Sequence, residues 1–193
     1  MFHRMGVLLI AAVFAVTAAP SAKANDFEPQ IKAFVAKQIM PWLNDKIVID
    51  SIKAQNVEHA SLDAAKIDAM DKDWRAQAKA GGGPLTEKLL GNDLSKFLKG
   101  KQAASNGLIS EMFVMDDKGL NVGQSGMTSD YMQGDEAKWQ KSYGVGPGAM
   151  FIDEVEFDDS SKSFQSQVSV TISDPADGKA IGAITVGVNV EKL

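Results

Sequence analysis

The chain has 193 residues, 45% hydrophobic and 23% charged, with a formal charge of −5 at neutral pH, two histidines and no cysteine. The missing cysteine excludes disulfides, thiolate metal sites and cysteine nucleophiles. An acidic balance without a basic cluster excludes nucleic acid and anionic lipid as partners, because both are bound by lysine and arginine neutralising phosphates.

Residues 1–24 read as an export signal, with Arg4 as the charged n-region, Gly6 to Ala19 as the apolar h-region and Ala22-Lys23-Ala24 as a small-x-small cleavage site. About 14 apolar residues fall short of the roughly 20 that a spanning helix needs. Cleavage before Asn25, export to the periplasm and no direct membrane insertion afterwards are therefore expected. Losing Arg4 and Lys23 leaves 18 basic residues against 25 acidic ones, a charge of −7. The remaining length suits one domain that buries about 70% of its unfolded surface without covalent staples.

Residues 25–107 are helical in pattern. Asn25-Asp26 can cap a helix in which Ile31, Phe34, Val35, Ile39 and Trp42 recur at three- and four-residue spacing, on one core-facing side. Pro41 lacks the N–H for the bond to the preceding turn, and Asn44-Asp45 offers a second cap before Ile47, Ile49 and Ile52. One bent helix and two consecutive helices both fit. His59, the histidine left after processing, lies in the polar run NVEHASLD and reads as a solvated surface residue. From Ser61 a further helix carries Leu62, Ile67, Met70 and Trp74 as its apolar stripe, with Trp74 read as a packing residue. Gly81-Gly82-Gly83-Pro84 ends it; no strand precedes this triplet and no Lys-Ser/Thr follows, so it is no phosphate loop. Short helices around 85–90 and 94–98 lead to the break at Asn106-Gly107.

From Leu108 the period changes to two. Phe113 to Asp116 and Leu120 to Gly123 read as a hairpin closed by Asp117-Lys118-Gly119. That turn lacks the oxygen-ligand spacing of a calcium loop. Turn residues at 158–161 and 174–178 separate three more strands, and the short connections predict a five-stranded antiparallel meander. In the fourth strand Phe164, Val168, Val170 and Ile172 share one face, and Gln165, Gln167, Ser169 and Thr171 the other. The polar row fits equally a hydrated pocket and a face open to water. The fifth strand, Ile181 to Val188, is apolar enough on both sides to be covered on both, and its glycines allow close approach of another backbone or a ligand.

Between the second and third strands lies a polar, aromatic-bearing insertion, SGMTSDYMQGDEAKWQKSY. Catalytic motifs are missing around it. Gly123-Gln124-Ser125-Gly126 has Met127 where a nucleophile elbow needs glycine. Gly144 to Gly148 precedes a strand, the reverse of a nucleotide loop, and reads as a turn. The adjacent acids Asp135-Glu136 and Asp153-Glu154 point apart and read as surface charge.

The stretches MFVMDDKGLNVGQSG, TSDYMQGDEAKWQKSYG, FQSQVSVTISDP and GKAIGAITVGVNVEKL resemble the Cache (PAS-like, PDC-type) extracytoplasmic sensor domains, in their standalone single-module form. The resemblance runs from about Asp26 to Leu193 and is most specific in TSDYMQGDEAKW. It implies an α+β domain with a long N-terminal helix packed on a five-stranded antiparallel PAS-like sheet. The helical segment 25–107 would support the sheet of 108–193, and a ligand-loop insertion at 125–148 would close a small-molecule pocket. Carried over by position, the ligand-binding residues would be Asp130, Tyr131, Trp139 and Tyr143 of the insertion and Phe113, Met115, Gln167 and Ser169 of the sheet. Trp139 and Tyr143, four residues apart, equally suit anchoring of the insertion to the sheet. The arginine-containing amino-acid motif of some double-module relatives has no counterpart, since the insertion carries no arginine. No enzyme activity, catalytic residue, cofactor or metal is expected.

In most members of that family the last strand runs into a membrane helix and a kinase, cyclase or chemoreceptor module, whereas this sequence ends at Leu193 after its last strand. The resemblance therefore implies a periplasmic sensor of a small polar ligand, acting in signal transduction or chemotaxis through a separate membrane-bound receptor or histidine kinase. The alternative is a ligand-free protein-interaction module with the same fold.

Overall fold

The computed structural model describes residues 25–158 and 162–193. The export signal expected at 1–24, and most of the turn expected at 158–161, lie outside the described residues.

Helix α1 (Glu28–Phe34) passes through a π-helical turn, Val35–Ile39, into α2 (Met40–Leu43). Pro41 accounts for the widened turn: it has no N–H for the carbonyl one turn back, and the helix absorbs the loss as a π-bulge. The Trp42 indole N–H donates instead to the Gln38 carbonyl at 2.7 Å. After Asn44 the chain restarts as α3 (Lys46–His59), so the N-terminal region is two consecutive helices. Helix α4 (Ala64–Lys79) begins where the Asp63 carboxylate accepts the Lys66 N–H at 2.9 Å, and it ends at Gly81 in the left-handed region. Helices α5 (Pro84–Gly91) and α6 (Asp93–Ala104) follow, the latter longer than its sequence pattern suggested.

The strands are β1 (Ile109–Met115), β2 (Asn121–Gln124), β3 (Met150–Asp158), β4 (Ser163–Ser173) and β5 (Ala180–Asn189). The α+β class and the five-stranded antiparallel sheet are as expected, but the meander is not: the strand order is β2-β1-β5-β4-β3. Short connections force neighbours to pair, and residues 125–149 are no short connection. They carry the chain from one edge of the sheet to the other.

Alternation gives the sheet two different faces. On one, Met112, Val114, Val168, Val170, Ile172, Ile184, Val186 and Val188 join Ile31, Val35, Ile39, Ile52, Leu94 and Leu98 of the helices in a single buried cluster. Each such side chain contributes about 1.5–3 kcal/mol by leaving water. The crossing segment lies against the other face. Phe164, expected with the core-facing residues of β4, is half exposed at the start of the strand and meets Phe157 edge-on at 5.3 Å.

Candidate functional site: the insertion and the cavity beneath it

The first part of the insertion is fastened to the helices. Its backbone returns along the outer edge of β2, with the Asn121 N–H donating to the Tyr131 carbonyl at 3.0 Å and the Gln133 N–H to Gly119 at 2.8 Å. An exposed sheet edge is covered in this way. The turn requires glycine at 119, where φ is +82° and a methyl group would stand 2.4 Å from Gly134 Cα. Asp71 of α4 accepts the Tyr131 N–H at 2.9 Å and the Met132 N–H at 3.0 Å through one oxygen, and the Arg75 Nε–H at 2.7 Å through the other. Arg75 also reaches Asp130 Oδ1 at 3.0 Å. The hydrogen bond to Asp71 and the two carboxylate charges raise the guanidinium's pKa further. The Tyr131 ring stacks on Trp74 at 5.5 Å, and the Trp74 indole N–H donates to the Thr128 carbonyl at 2.9 Å. Burial, with Asp116 and Glu58 adding to it, pushes the Tyr131 hydroxyl well above the ordinary phenol value.

The second part rests on the sheet. Within α7 (Ala137–Gln140), Trp139 packs with Tyr143, ring centres 4.9 Å apart, over Phe113, Met115 and Ala183. The Trp139 indole N–H donates to the Asp116 carbonyl at 3.2 Å. Partial burial, then the carboxylates of Asp117 and Asp116, raise the Tyr143 hydroxyl. Lys138 lies over the Phe113 ring at 5.5 Å and pairs with Glu136 at 2.9 Å.

Between these two anchorages the insertion stands off the sheet and leaves a cavity of about 530 Å³, a size suited to a small molecule. Glu111, Phe113, Gln165 and Gln167 form its floor; Thr128, Ser129, Asp130, Gln133, Glu136 and Lys138 form its roof; Glu156 and Phe157 stand at its side. The floor is cross-linked: Gln167 Nε2 donates to Glu111 Oε1 at 2.9 Å, Gln165 Nε2 donates to the same oxygen at 3.3 Å, and the Ser110 hydroxyl donates to Gln165 Oε1. Gly187 below makes this possible, since a methyl there would come within 2.6 Å of Gln165 Oε1.

Of the eight residues singled out from sequence, Phe113, Asp130 and Gln167 line this cavity. Trp139, Tyr143 and Met115 form the packed cluster beside it. Ser169 is buried and shares a 2.9 Å hydrogen bond with Thr185. Tyr131 is turned away from the cavity, into the helix layer. Sequence reasoning missed Glu111, Lys138 and Glu156 in the lining and read Glu136 as surface charge. Gln165 was visible as a neighbour of Gln167 in the polar row of β4. The Asp71–Arg75 spacing on α4 was the one local sign of the clamp on the insertion.

His59 is a correction. It is 5% exposed, and its Nδ1 lies 2.8 Å from Asp116 Oδ2. The fully buried Asp116 also accepts the Lys118 and Leu120 N–H groups at 2.9 Å each and Gln55 Nε2 at 2.9 Å. A polar local sequence hid this residue because its partner stands in the hairpin, 57 positions away. Among the described residues no group of three or more His, Asp or Glu side chains is arranged to hold a metal ion, and no helix is long and apolar enough to cross a membrane.

No protein-family model matches the chain, and no curated protein matches it. Several solved structures do. The sensor domain of the V. cholerae histidine kinase DctB aligns at 12% identity with a TM-score of 0.47, over 85% of this chain and 52% of that one. The ligand-binding domain of the Campylobacter jejuni chemoreceptor Tlp3, in complex with L-valine, aligns at 15% identity and 0.41, over 86% and 63%. That of the Pseudomonas fluorescens chemoreceptor CtaA, in complex with L-serine, aligns at 9% identity and 0.39, over 65% and 58%. The chain thus spans between half and two-thirds of the length of these structures.

Proposed function

We propose that the cavity beneath the insertion binds a small polar molecule, and that the protein is a periplasmic sensor module working through a separate membrane-bound receptor or histidine kinase. The cavity itself carries this reading: its floor belongs to the sheet and its roof to the insertion, so an occupant touches both and alters how they fit. Glu111, Asp130, Glu136 and Glu156 supply acceptors, Lys138 and the amides of Gln133, Gln165 and Gln167 supply donors, and Phe113 supplies apolar area. That lining suits a compact molecule rich in hydrogen-bond donors and disfavours a polyanion. Export and the membrane-bound partner rest on the signal-like residues 1–24 and on the resemblance of the sequence to Cache domains.

A thermal-shift screen against amines, sugars, purines and carboxylates tests the reading. A ligand at 100 times its Kd adds about 2.7 kcal/mol, enough to raise the melting temperature by several degrees. Gln167→Leu should abolish that shift and leave the unliganded protein's melting temperature almost unchanged. No shift across the screen, together with recovery of a single cross-linked periplasmic protein, decides for the second reading, a ligand-free interaction module. One observation favours that alternative: Phe157 and Phe164 pair at the sheet's edge while 51% and 48% exposed, an apolar contact that Phe157→Ser would remove.

A further inference from the structure

A second cavity, of about 370 Å³, lies on the opposite side of the sheet, among α3, α4, α5, α6 and β2. Its walls are apolar over Met70, Leu85, Leu89, Leu94 and Val122. Two polar side chains, each more than nine-tenths buried, also line it: His59 at 5% and Tyr131 at 3% exposure. His59 Nδ1 is committed to Asp116 at 2.8 Å, while its Nε2 has no hydrogen-bond partner among the described residues. With Nδ1 held by the carboxylate, Nε2 is the ring nitrogen left to meet an occupant. The Tyr131 ring is fixed by its stack on Trp74, and its hydroxyl likewise has no partner among the described residues. Burial and the nearby Asp116 charge keep that hydroxyl protonated, and so a donor. Two polar groups without a protein partner therefore stand in one chamber, whose wall mixes these apolar side chains with Ser51, Gln55, Asn92 and Asp93. Solvent reaches both atoms, so an occupant must match their hydrogen bonds as well as fill the chamber.

We propose that this chamber is a second ligand site, separate from the one beneath the insertion. Its ligand is a small molecule with an apolar body and a single hydroxyl that hydrogen-bonds His59 Nε2 and accepts from Tyr131. Glu58 and Lys88, 3.9 Å apart, also line the chamber and are largely exposed, as an outer rim would be. An ionic head group on the ligand is not required.

The full chain titrated with phenol, and with toluene as the isostere lacking the hydroxyl, tests the proposal by NMR. Phenol should saturate, move the His59 imidazole resonances and the methyls of Leu85, Leu89 and Val122, and bind about tenfold more tightly than toluene. Tyr131→Phe keeps the ring and should cut that preference to about threefold or less. Ala54→Phe, at an exposed position on the rim, should block both probes. Equal affinities for phenol and toluene, unmoved His59 resonances, or phenol binding that survives Ala54→Phe would each overturn the proposal. Should Tyr131→Phe fail to fold, the phenol and toluene comparison in the unmodified protein decides alone. Gln167→Leu should leave phenol binding intact, so failure here and failure of the site beneath the insertion are told apart.

Discussion

The same strands face two ways and hold their neighbours by different physics. Toward the helices, Val168, Val170, Ile172, Ile184, Val186 and Val188 pack into one buried cluster of apolar side chains. Toward the insertion, the alternate positions Glu111, Gln165 and Gln167 are joined by hydrogen bonds, and apolar contact shrinks to Phe113, Met115 and Ala183 under Trp139 and Tyr143. Close packing cannot yield without losing many contacts at once. Hydrogen-bonded polar side chains exchange partners with water or a ligand at small net cost. The helix face therefore fixes the sheet, and the insertion face is the side that yields more easily.

The largest expected effect breaks the rigid face. Ile184→Ala, at a position with no exposure, should cost about 3–4 kcal/mol in urea denaturation and leave ligand affinity unchanged under native conditions. A matching loss of affinity would show that the two faces are one cooperative structure. Next comes the joint between helices and insertion. Asp71→Ala leaves the buried Tyr131 N–H and the Met132 N–H without their acceptor and should cost about 2 kcal/mol. Hydrogen exchange should accelerate at those two amides and stay slow at Val186; equal acceleration at both would contradict an insertion that loosens independently.

How far the sequence foretold this contrast depended on distance along the chain. Leu62, Ile67, Met70 and Trp74 were legible as one stripe because helical spacing is local, and they do pack together. The row Gln165, Gln167, Ser169 was legible by alternation, and the Asp117-Lys118-Gly119 turn by its residues, since Asp116 accepts the Lys118 N–H at 2.9 Å. The strand order was not legible, because a long crossing segment has no period that announces which edge it reaches. Nor was the direction of Tyr131, which is set by Trp74, or the burial of His59, which is set by Asp116. Glu111 joined the cavity for a similar reason: its partners Gln165 and Gln167 are more than fifty residues away. Pairings of that kind become visible only once the sheet is assembled.

A smaller effect sharpens the polar face. Trp139→Phe keeps an aromatic ring over Phe113 and Met115 and loses the bond to the Asp116 carbonyl. It should cost about 1 kcal/mol. If Trp139 anchors the insertion without touching the ligand, affinity follows this small loss of order and falls by less than tenfold. A complete loss of binding would instead make the indole part of the site, as its position in the sequence suggested.

The smallest effect lies at the rim of the rigid face, where Lys53 of α3 binds Asp174 beyond β4 at 2.5 Å. The hydrogen bond from Lys53, then that from the Ala176 N–H, holds the Asp174 carboxyl below the usual range, and the bond to Asp174 raises Lys53. A lowered carboxyl stabilises the fold fully above its unfolded value of about 3.9 and loses that contribution as the pH falls through its lower folded value. A raised lysine contributes fully below its unfolded value of about 10.4 and loses the contribution as the pH rises through its higher folded value. The urea midpoint gap between the natural protein and Lys53→Met should therefore stay constant through the neutral range and narrow in strong acid and strong base. Asp177, lowered mainly by its hydrogen bond to Lys179, titrates in the same acid window but is common to both proteins and largely cancels. A gap that persists in strong acid would assign the lysine's contribution to its methylene chain packing on the sheet rim, and the helix face would then be apolar in its energetics to its very edge.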